Sequence, residues 1–220
     1  MIGTNLDKIR KDLPKHVELV AVSKTKPIED LQEAFDAGQR IFGENKVQEM
    51  ASKYEVLPKE IQWHFIGHLQ RNKVKYLAPF VSLIHGVESL RLLKEINKQA
   101  LKSNRIIDVL LQFYIADEET KFGLSEEEAN DLLNSEEFKL LNNIQIRGVM
   151  GMATFTKDQE KIRGEFQKLK KIQNSLKAKH FSENDLFDVV SMGMSGDFST
   201  AIEEGSTMIR IGSSIFGARN

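Results

Sequence analysis

Short apolar runs alternate with longer amphipathic stretches along the chain. The apolar runs are rich in β-branched residues and predict strands buried on both faces, as in parallel sheets covered by helices. Eight strands are predicted, at residues 17–22, 40–42, 62–67, 81–86, 106–113, 145–150, 186–190 and 207–211. Helical spacing of apolar residues predicts helices at 4–13, 27–38, 47–54, 69–77, 90–100, 125–133, 158–178 and 198–204.

This alternation favours an α/β fold of the (β/α)8 TIM-barrel type, because a sandwich needs antiparallel strands linked by turns. An open doubly wound sheet is the main alternative. The chain has 220 residues, short of the ~250 typical of such barrels, so we expect one domain over 1–220 with tight loops. Segment 213–218 is too brief for a full eighth helix, and we expect the extra N-terminal helix to help cover that gap.

Composition narrows the classes of function. The 31 Lys and Arg residues against 32 Asp and Glu give a formal net charge of -1, which offers no global field for nucleic acid or an anionic membrane. There are no cysteines, and the histidines lack metal-ligand spacing. No apolar stretch has the length of a signal-peptide core or a membrane span. We therefore expect a cytoplasmic protein with no metal, nucleic-acid or membrane partner, and any anion site must be local.

Lys24 stands where the first predicted strand ends. In parallel α/β folds the carboxyl ends of the strands open into the ligand pocket. A partly desolvated lysine placed there is suited to Schiff-base chemistry with an aldehyde. The alternative is that Lys24 begins an ordinary polar loop.

Two stretches after the last two predicted strands are suited to binding a phosphate. Residues 191–197 read SMGMSGD and open a predicted helix, and residues 210–214 read RIGSS. Glycines let backbone N–H groups approach an anion, hydroxyls add donors, and a helix N-terminus adds positive charge. The loops after strands seven and eight are the usual phosphate site in barrels. The alternative is that these Gly and Ser residues only form turns.

Three further polar residues sit in or next to predicted strands. Arg210 lies between Ile209 and Ile211, where a guanidinium needs an acceptor: either a ligand or an internal carboxylate. His64 is flanked by aromatic residues, and its default role is that of a hydrogen-bonded core residue. Asn45 either contacts a ligand or caps the next helix.

Taken together, the motifs at 21–27, 42–49, 63–73, 191–197 and 210–217 resemble the YggS/PROSC family of pyridoxal phosphate homeostasis proteins. The resemblance spans nearly the whole chain. It implies a fold-type III barrel, like the N-terminal domain of alanine racemase, that holds pyridoxal 5'-phosphate (PLP) as an internal aldimine on Lys24, with Lys26 as a nearby cation. It also implies that Arg210 faces the ring nitrogen and that Asn45 and His64 line the ring. The phosphate would be bound by Ser191, Gly193, Ser195, Gly212 and Ser213.

The resemblance implies a PLP-binding protein of vitamin B6 homeostasis with no strong turnover and no catalytic residue of its own. Apo-enzymes that use PLP are the partners to test, and a monomer or weak dimer is expected. The chain ends at Asn220, so we expect it to lack the second domain with which alanine racemase completes its site. The alternatives are a PLP-dependent amino-acid racemase with Lys24 as base, and a barrel enzyme for phosphorylated sugars.

Overall fold

The computed structural model describes residues 1–116 and 123–217. Its centre is a closed barrel of eight parallel strands, each paired with its neighbours in chain order, and β8 pairs with β1. The predicted (β/α)8 architecture is confirmed. The strands are β1 Glu18–Val22, β2 Ile41–Glu44, β3 Gln62–Phe65, β4 Leu83–Val87, β5 Ile107–Gln112, β6 Ile144–Met150, β7 Val189–Met194 and β8 Met208–Ile211.

Helices cover the outside of the barrel. They are α1 Ile2–Asp12, α2 Ile28–Asp36, α3 Val47–Val56, α4 Val74–Leu77, α5 Leu90–Lys102, α6 Glu126–Asn134, α7 Glu136–Lys139, α8 Gln159–His180, α9 Phe198–Glu203 and α10 Ser213–Phe216. The predicted capping box of α6 is present: Glu128 N–H donates to Ser125 Oγ, and Ser125 N–H donates to Glu128 Oε2. No described helix has the length and apolar character needed to cross a bilayer.

Burial of apolar side chains on both faces of the strands explains their near-continuous hydrophobic runs. A large cluster fills the layer between the strands and the helices. A smaller cluster, with one residue from each contributing strand, is separate from it and comprises Val20, Leu83, Leu110, Met150 and Met208.

Helix α1 closes the gap left by the short α10, as expected. Ile2 and Leu6 are buried, and α1 packs against α2 and α10. Asn5 Nδ2 donates a hydrogen bond to the carbonyl oxygen of Ile215, 2.9 Å away in α10. The N-terminal helix is therefore part of the barrel wall.

Several elements differ from the sequence-based predictions. Strand β7 begins and ends later than predicted, so Ser191 and Gly193 lie in the strand and not in the loop after it. The predicted helix at 69–77 is a 3-10 turn at Arg71–Lys73 followed by the single turn of α4. Helix α7 was not predicted, and most of the polar loop predicted at 116–123 lies outside the described residues.

Candidate functional site

A cavity of about 760 Å³ opens at the carboxyl ends of the barrel strands. All eight strands contribute to its lining with residues at or near their carboxyl ends: Val22 and Lys24, Asn45, Gly67, Glu88, Gln112, Met150 and Met152 to Thr156, Met194 to Asp197, and Arg210 with Gly212 to Ser214. Of the nine predicted site residues, the lining includes these six: Lys24, Asn45, Ser195, Arg210, Gly212 and Ser213. The cavity is where ligands bind in barrels of this type.

Lys24 lies in the turn that follows β1 and is half-buried. Lys26, two residues later, also lines the cavity and donates through Nζ to the carbonyl oxygen of Phe216 at 3.0 Å. Asn45 follows β2 and does not cap α3, whose N-cap is Lys46 without a side-chain hydrogen bond. Two amines and one amide therefore face the same space from neighbouring strands.

Arg210 supplies a buried cation to the cavity from the middle of β8. Its side chain is 4% exposed, and it donates from Nη1 to Ser191 Oγ at 2.6 Å and from Nη2 to Gly151 O at 3.1 Å. Burial lowers the pKa of Arg210 to about 10, against the opposing effect of Asp197, so the guanidinium is charged at neutral pH. Among the described residues no carboxylate lies within ion-pair distance of it, which removes the internal salt bridge as its explanation.

A chain of buried polar groups runs from Arg210 away from the cavity. Ser191 Oγ lies 3.1 Å from His85 Nδ1, and His85 Nε2 lies 3.1 Å from His64 Nδ1. All three side chains are buried. His64 is thus the hydrogen-bonded core residue of its default interpretation, and neither it nor Ser191 is among the described residues that line the cavity.

The donors of this chain fix the histidine tautomers. Arg210 can only donate, so Ser191 Oγ accepts from it, and His85 Nδ1 is then the one acceptor among the described partners of Ser191 Oγ that can take the hydroxyl proton. His85 then carries its proton on Nε2 and donates to His64 Nδ1. Burial lowers the pKa of His64 to about 3. Burial, with His64 and Arg210 nearby, lowers the pKa of His85 well below its usual value, so both rings are neutral, as the chain requires.

The two glycine-bearing loops meet at the cavity rim. Gly212 N–H donates to Ser195 Oγ at 3.3 Å, which joins the loop after β7 to the loop after β8. Helices α9 and α10 have only six and four residues, so the helix dipole expected to favour an anion is weak here. Backbone N–H groups and serine hydroxyls are the remaining donors for a phosphate.

Gly193 and Gly212 both serve close packing. Gly193 has φ +98°, and a Cβ there would lie 2.7 Å from Ala201 Cβ, so a larger residue would push α9 away from β7. A Cβ on Gly212 would lie 3.1 Å from the carbonyl oxygen of Val22, which keeps the rim loop tight against β1. Gly193 is not among the described lining residues; its contribution to the site is to let α9 pack.

Asp197 brings a carboxylate to the same rim. Met194 N–H donates to its Oδ1 at 2.6 Å. Burial raises the pKa of Asp197, while that hydrogen bond and Arg210 lower it. Because Met194 and Asp197 both belong to this region, their hydrogen bond holds the loop after β7 in one conformation.

Sequence reasoning missed two parts of the site. His85 is one of the histidines without metal-ligand spacing, and no role is predicted for it. Its position in a buried strand nevertheless indicates that it has polar partners. The loop after β6 also lines the cavity. It is anchored at Thr154, whose N–H and Oγ1 both donate to the buried carboxylate of Glu165 at 2.7 Å, and Phe155 beside it is 99% exposed.

Comparisons with known proteins find relatives that match nearly the whole chain. The family model of the alanine racemase N-terminal domain matches residues 1–220. The pyridoxal phosphate homeostasis protein of Aquifex aeolicus is 41% identical over 204 residues, which cover 92% of this chain and 87% of that protein.

Solved structures give the same result. PipY of Synechococcus elongatus PCC7942, solved with PLP bound, has a TM-score of 0.88 at 32% identity and covers 99% of this chain and 100% of its own. Without PLP, PipY has a TM-score of 0.91 at 33% identity. Alanine racemase of Clostridium difficile 630 matches with a TM-score of 0.77 at 14% identity over 99% of this chain and 56% of that chain, a likeness of fold alone.

Proposed function

Because the chain belongs to the pyridoxal phosphate homeostasis proteins, which share the N-terminal domain of alanine racemase, we propose that it binds PLP and serves intracellular vitamin B6 homeostasis. The observation that carries the proposal is that Lys24, Arg210 and the two joined rim loops all line one cavity. A lysine, a buried cation and a rim of amide and hydroxyl donors match the aldehyde, the ring nitrogen and the phosphate of this cofactor.

Each part of the site would hold one part of PLP. The Lys24 amine would attach to the aldehyde, a primary amine and an aldehyde joining through a carbon–nitrogen double bond with loss of water. Ser195, Gly212 and Ser213 would bind the phosphate at the rim, and Asn45 would line the ring. When bound, the cofactor supplies an electrophilic carbon and an electron sink.

Arg210 would face the ring nitrogen as a hydrogen-bond donor. Its pKa of about 10 keeps it protonated, so the nitrogen would accept a hydrogen bond without becoming charged. Such a nitrogen withdraws fewer electrons than one paired with a carboxylate, which discourages carbanion chemistry. Ser191, His85 and His64 would hold Arg210 in place from behind.

The same cavity supports binding over catalysis. Among the described residues that line it there is no tyrosine, and Tyr54 instead stacks on Phe80 with ring centroids 4.0 Å apart. A racemase needs a second acid/base group opposite its lysine, and none of the three tyrosines is placed to supply it. The proposed form is a cytoplasmic monomer or weak dimer that holds PLP on Lys24 and passes it to apo-enzymes.

The test is covalent trapping of PLP. The absorption spectrum of the purified protein is recorded before and after borohydride, and the labelled peptide is identified by mass spectrometry. The parent protein should carry one reducible label on Lys24, and Lys24→Ala should remove it while leaving the fold intact.

Lys26→Ala is the matched control, since Lys26 lines the same cavity two residues away and should leave the label on Lys24. A label that persists in Lys24→Ala would move the attachment to another lysine. Sustained exchange of amino-acid α-protons in deuterated water by the loaded protein would favour the racemase instead.

A further inference from the structure

The turn that carries Lys24 has a strained backbone. Lys26 N–H donates to Ser23 O at 3.1 Å, which closes a four-residue turn. Thr25, the third residue of the turn, has φ +65°. Type II turns need a positive φ at this position and usually place Gly or Asn there, because a β-branched residue is disfavoured in the left-handed region. Something outside the turn must hold Thr25 in this conformation.

An ionic cluster lies directly beneath the turn, formed by the buried Glu44 and Lys53 and the partly exposed Glu49. Lys53 Nζ donates to Glu44 Oε1 and to Glu49 Oε1, both at 2.8 Å. Lys53 is 5% exposed and Glu44 is fully buried. These side chains come from β2 and α3, so the cluster ties two elements of the wall together below Lys24.

The cluster grips the turn at two backbone atoms. Lys53 Nζ donates to Ser23 O at 2.9 Å, and Thr25 N–H donates to Glu49 Oε1 at 2.6 Å. Ser23 Oγ also donates to Glu44 Oε1 at 2.6 Å. Lys24 therefore lies between two residues whose backbones are both fixed by the cluster.

Stability alone does not account for such a cluster. Buried ion pairs are often no more stabilising than apolar residues of the same size, and here Glu44 Oε2 is buried with no hydrogen-bond partner among residues 1–116 and 123–217. Besides its internal ion pairs, the cluster makes three hydrogen bonds to the Lys24 turn. Lys53 Nζ donates to Ser23 O, and Glu49 Oε1 and Glu44 Oε1 accept from Thr25 N–H and Ser23 Oγ. That arrangement indicates a role in orientation.

We propose that Glu44, Glu49 and Lys53 are positioning residues for Lys24, holding the turn with Thr25 in its left-handed conformation so that the Lys24 amine is directed into the cavity to bond an aldehyde. The proposal rests on the proposed function, because it takes Lys24 as the amine that holds PLP. In the bonding step the amine nitrogen joins the aldehyde carbon, and the aldehyde oxygen leaves as water with both amine protons of the neutral lysine.

The experiment first removes the Lys53 amine that holds the cluster together and then relieves the backbone strain at Thr25. Full-length parent, Lys53→Met and the double variant Lys53→Met with Thr25→Gly are titrated with PLP and followed by absorbance. Lys53→Met should weaken the apparent affinity by about tenfold or more, because misorientation of a reacting group is costly. Thr25→Gly should restore most of that loss, because glycine takes a positive φ without strain.

Asn104 provides the matched control. Its φ is +52°, and it lies before β5 at the opposite end of the barrel from the cavity. Asn104→Gly also places a glycine at a left-handed position, but it should leave the PLP affinity of Lys53→Met unchanged. Recovery by Asn104→Gly equal to that by Thr25→Gly would reduce the effect to general stability and overturn the proposal, as would a Lys53→Met affinity within about twofold of the parent.

Glu49→Gln carries the same comparison if Lys53→Met does not fold, since it removes the charge from the group that accepts from both Thr25 N–H and Lys53 Nζ. Its PLP affinity should fall, and Thr25→Gly should restore it; an affinity equal to the parent's would overturn the proposal. Failure of the proposed function is distinguishable, because a parent protein without a Lys24 label would fail before any variant is compared.

Discussion

Lowering the pH from 7 to 5 is expected to destabilise the protein through His64 and His85. Burial lowers the pKa of His64 to about 3, and burial with the adjacent charges lowers the pKa of His85 well below its usual value. The His64 ring stays neutral in the folded protein at pH 5 and the His85 ring binds a proton less readily than usual, whereas in the unfolded chain both rings bind protons as the pH falls through about 6.5. Because the unfolded state then binds more protons, the free energy of unfolding falls with pH.

The size of the effect follows from proton binding alone. Each ring that is neutral when folded and charged when unfolded contributes about 1.4 kcal/mol per pH unit. Between pH 6.5 and pH 5 this gives about 2 kcal/mol for His64. His85 contributes in the same direction. Glu44 and Asp197 act in the opposite direction, because burial raises their pKa values and they bind protons more readily when folded.

A comparison of variants therefore isolates the histidines from the carboxylates. Urea unfolding, followed by the fluorescence of the single tryptophan, buried Trp63, is measured at pH 7 and pH 5. The parent should lose about 2 kcal/mol more than His64→Gln over this interval. His16→Gln, at an exposed histidine, should lose as much as the parent. Equal losses in the parent and His64→Gln would refute the reasoning.

Two further predictions use the same unfolding assay. Ser191→Ala should lower the free energy of unfolding by about 2–3 kcal/mol, because Arg210 loses a charged hydrogen bond in the interior. Ser206→Ala, at an equally buried serine that bonds only backbone carbonyls, should cost about 1 kcal/mol; equal losses would contradict the role of charge. Gly193→Ala should lower the free energy of unfolding by more than about 2 kcal/mol, since it adds a close contact at positive φ. Gly196→Ala, with open space around it, should change it by less than about 0.5 kcal/mol. Similar values for the two variants would exclude the packing argument.

The barrel was predictable from sequence because its strands are buried on both faces and therefore appear as unbroken apolar runs. The end of β7 was not, because Ser191 and Gly193 have the composition of a turn. Tertiary pairing overrides that local signal: Ser191 is in register with Met208, and Met194 with Arg210, so the strand continues to Met194.

Some residues of the candidate site could likewise be predicted from sequence, and others could not. Lys24 could be predicted, because strand ends in barrels face the pocket and the sequence marks where β1 ends. The partner of His85 could not, because Ser191 lies 106 residues away and only barrel closure brings β4 opposite β7. Residues that act at strand ends are visible from local patterns, and those that act across the barrel interior are not.

The hydrogen bonds of Arg210 connect the buried polar groups of the barrel interior to the cavity. A carboxylate partner would have neutralised the guanidinium and reduced its attraction for a ligand. A serine hydroxyl and a backbone carbonyl satisfy its donors without adding a charge. The neutral forms of His85 and His64 extend this arrangement, because a protonated His85 could not accept the Ser191 hydroxyl proton and would place a second cation behind the first. The low pKa values of the two histidines therefore leave Arg210 as the charged member of this hydrogen-bonded group.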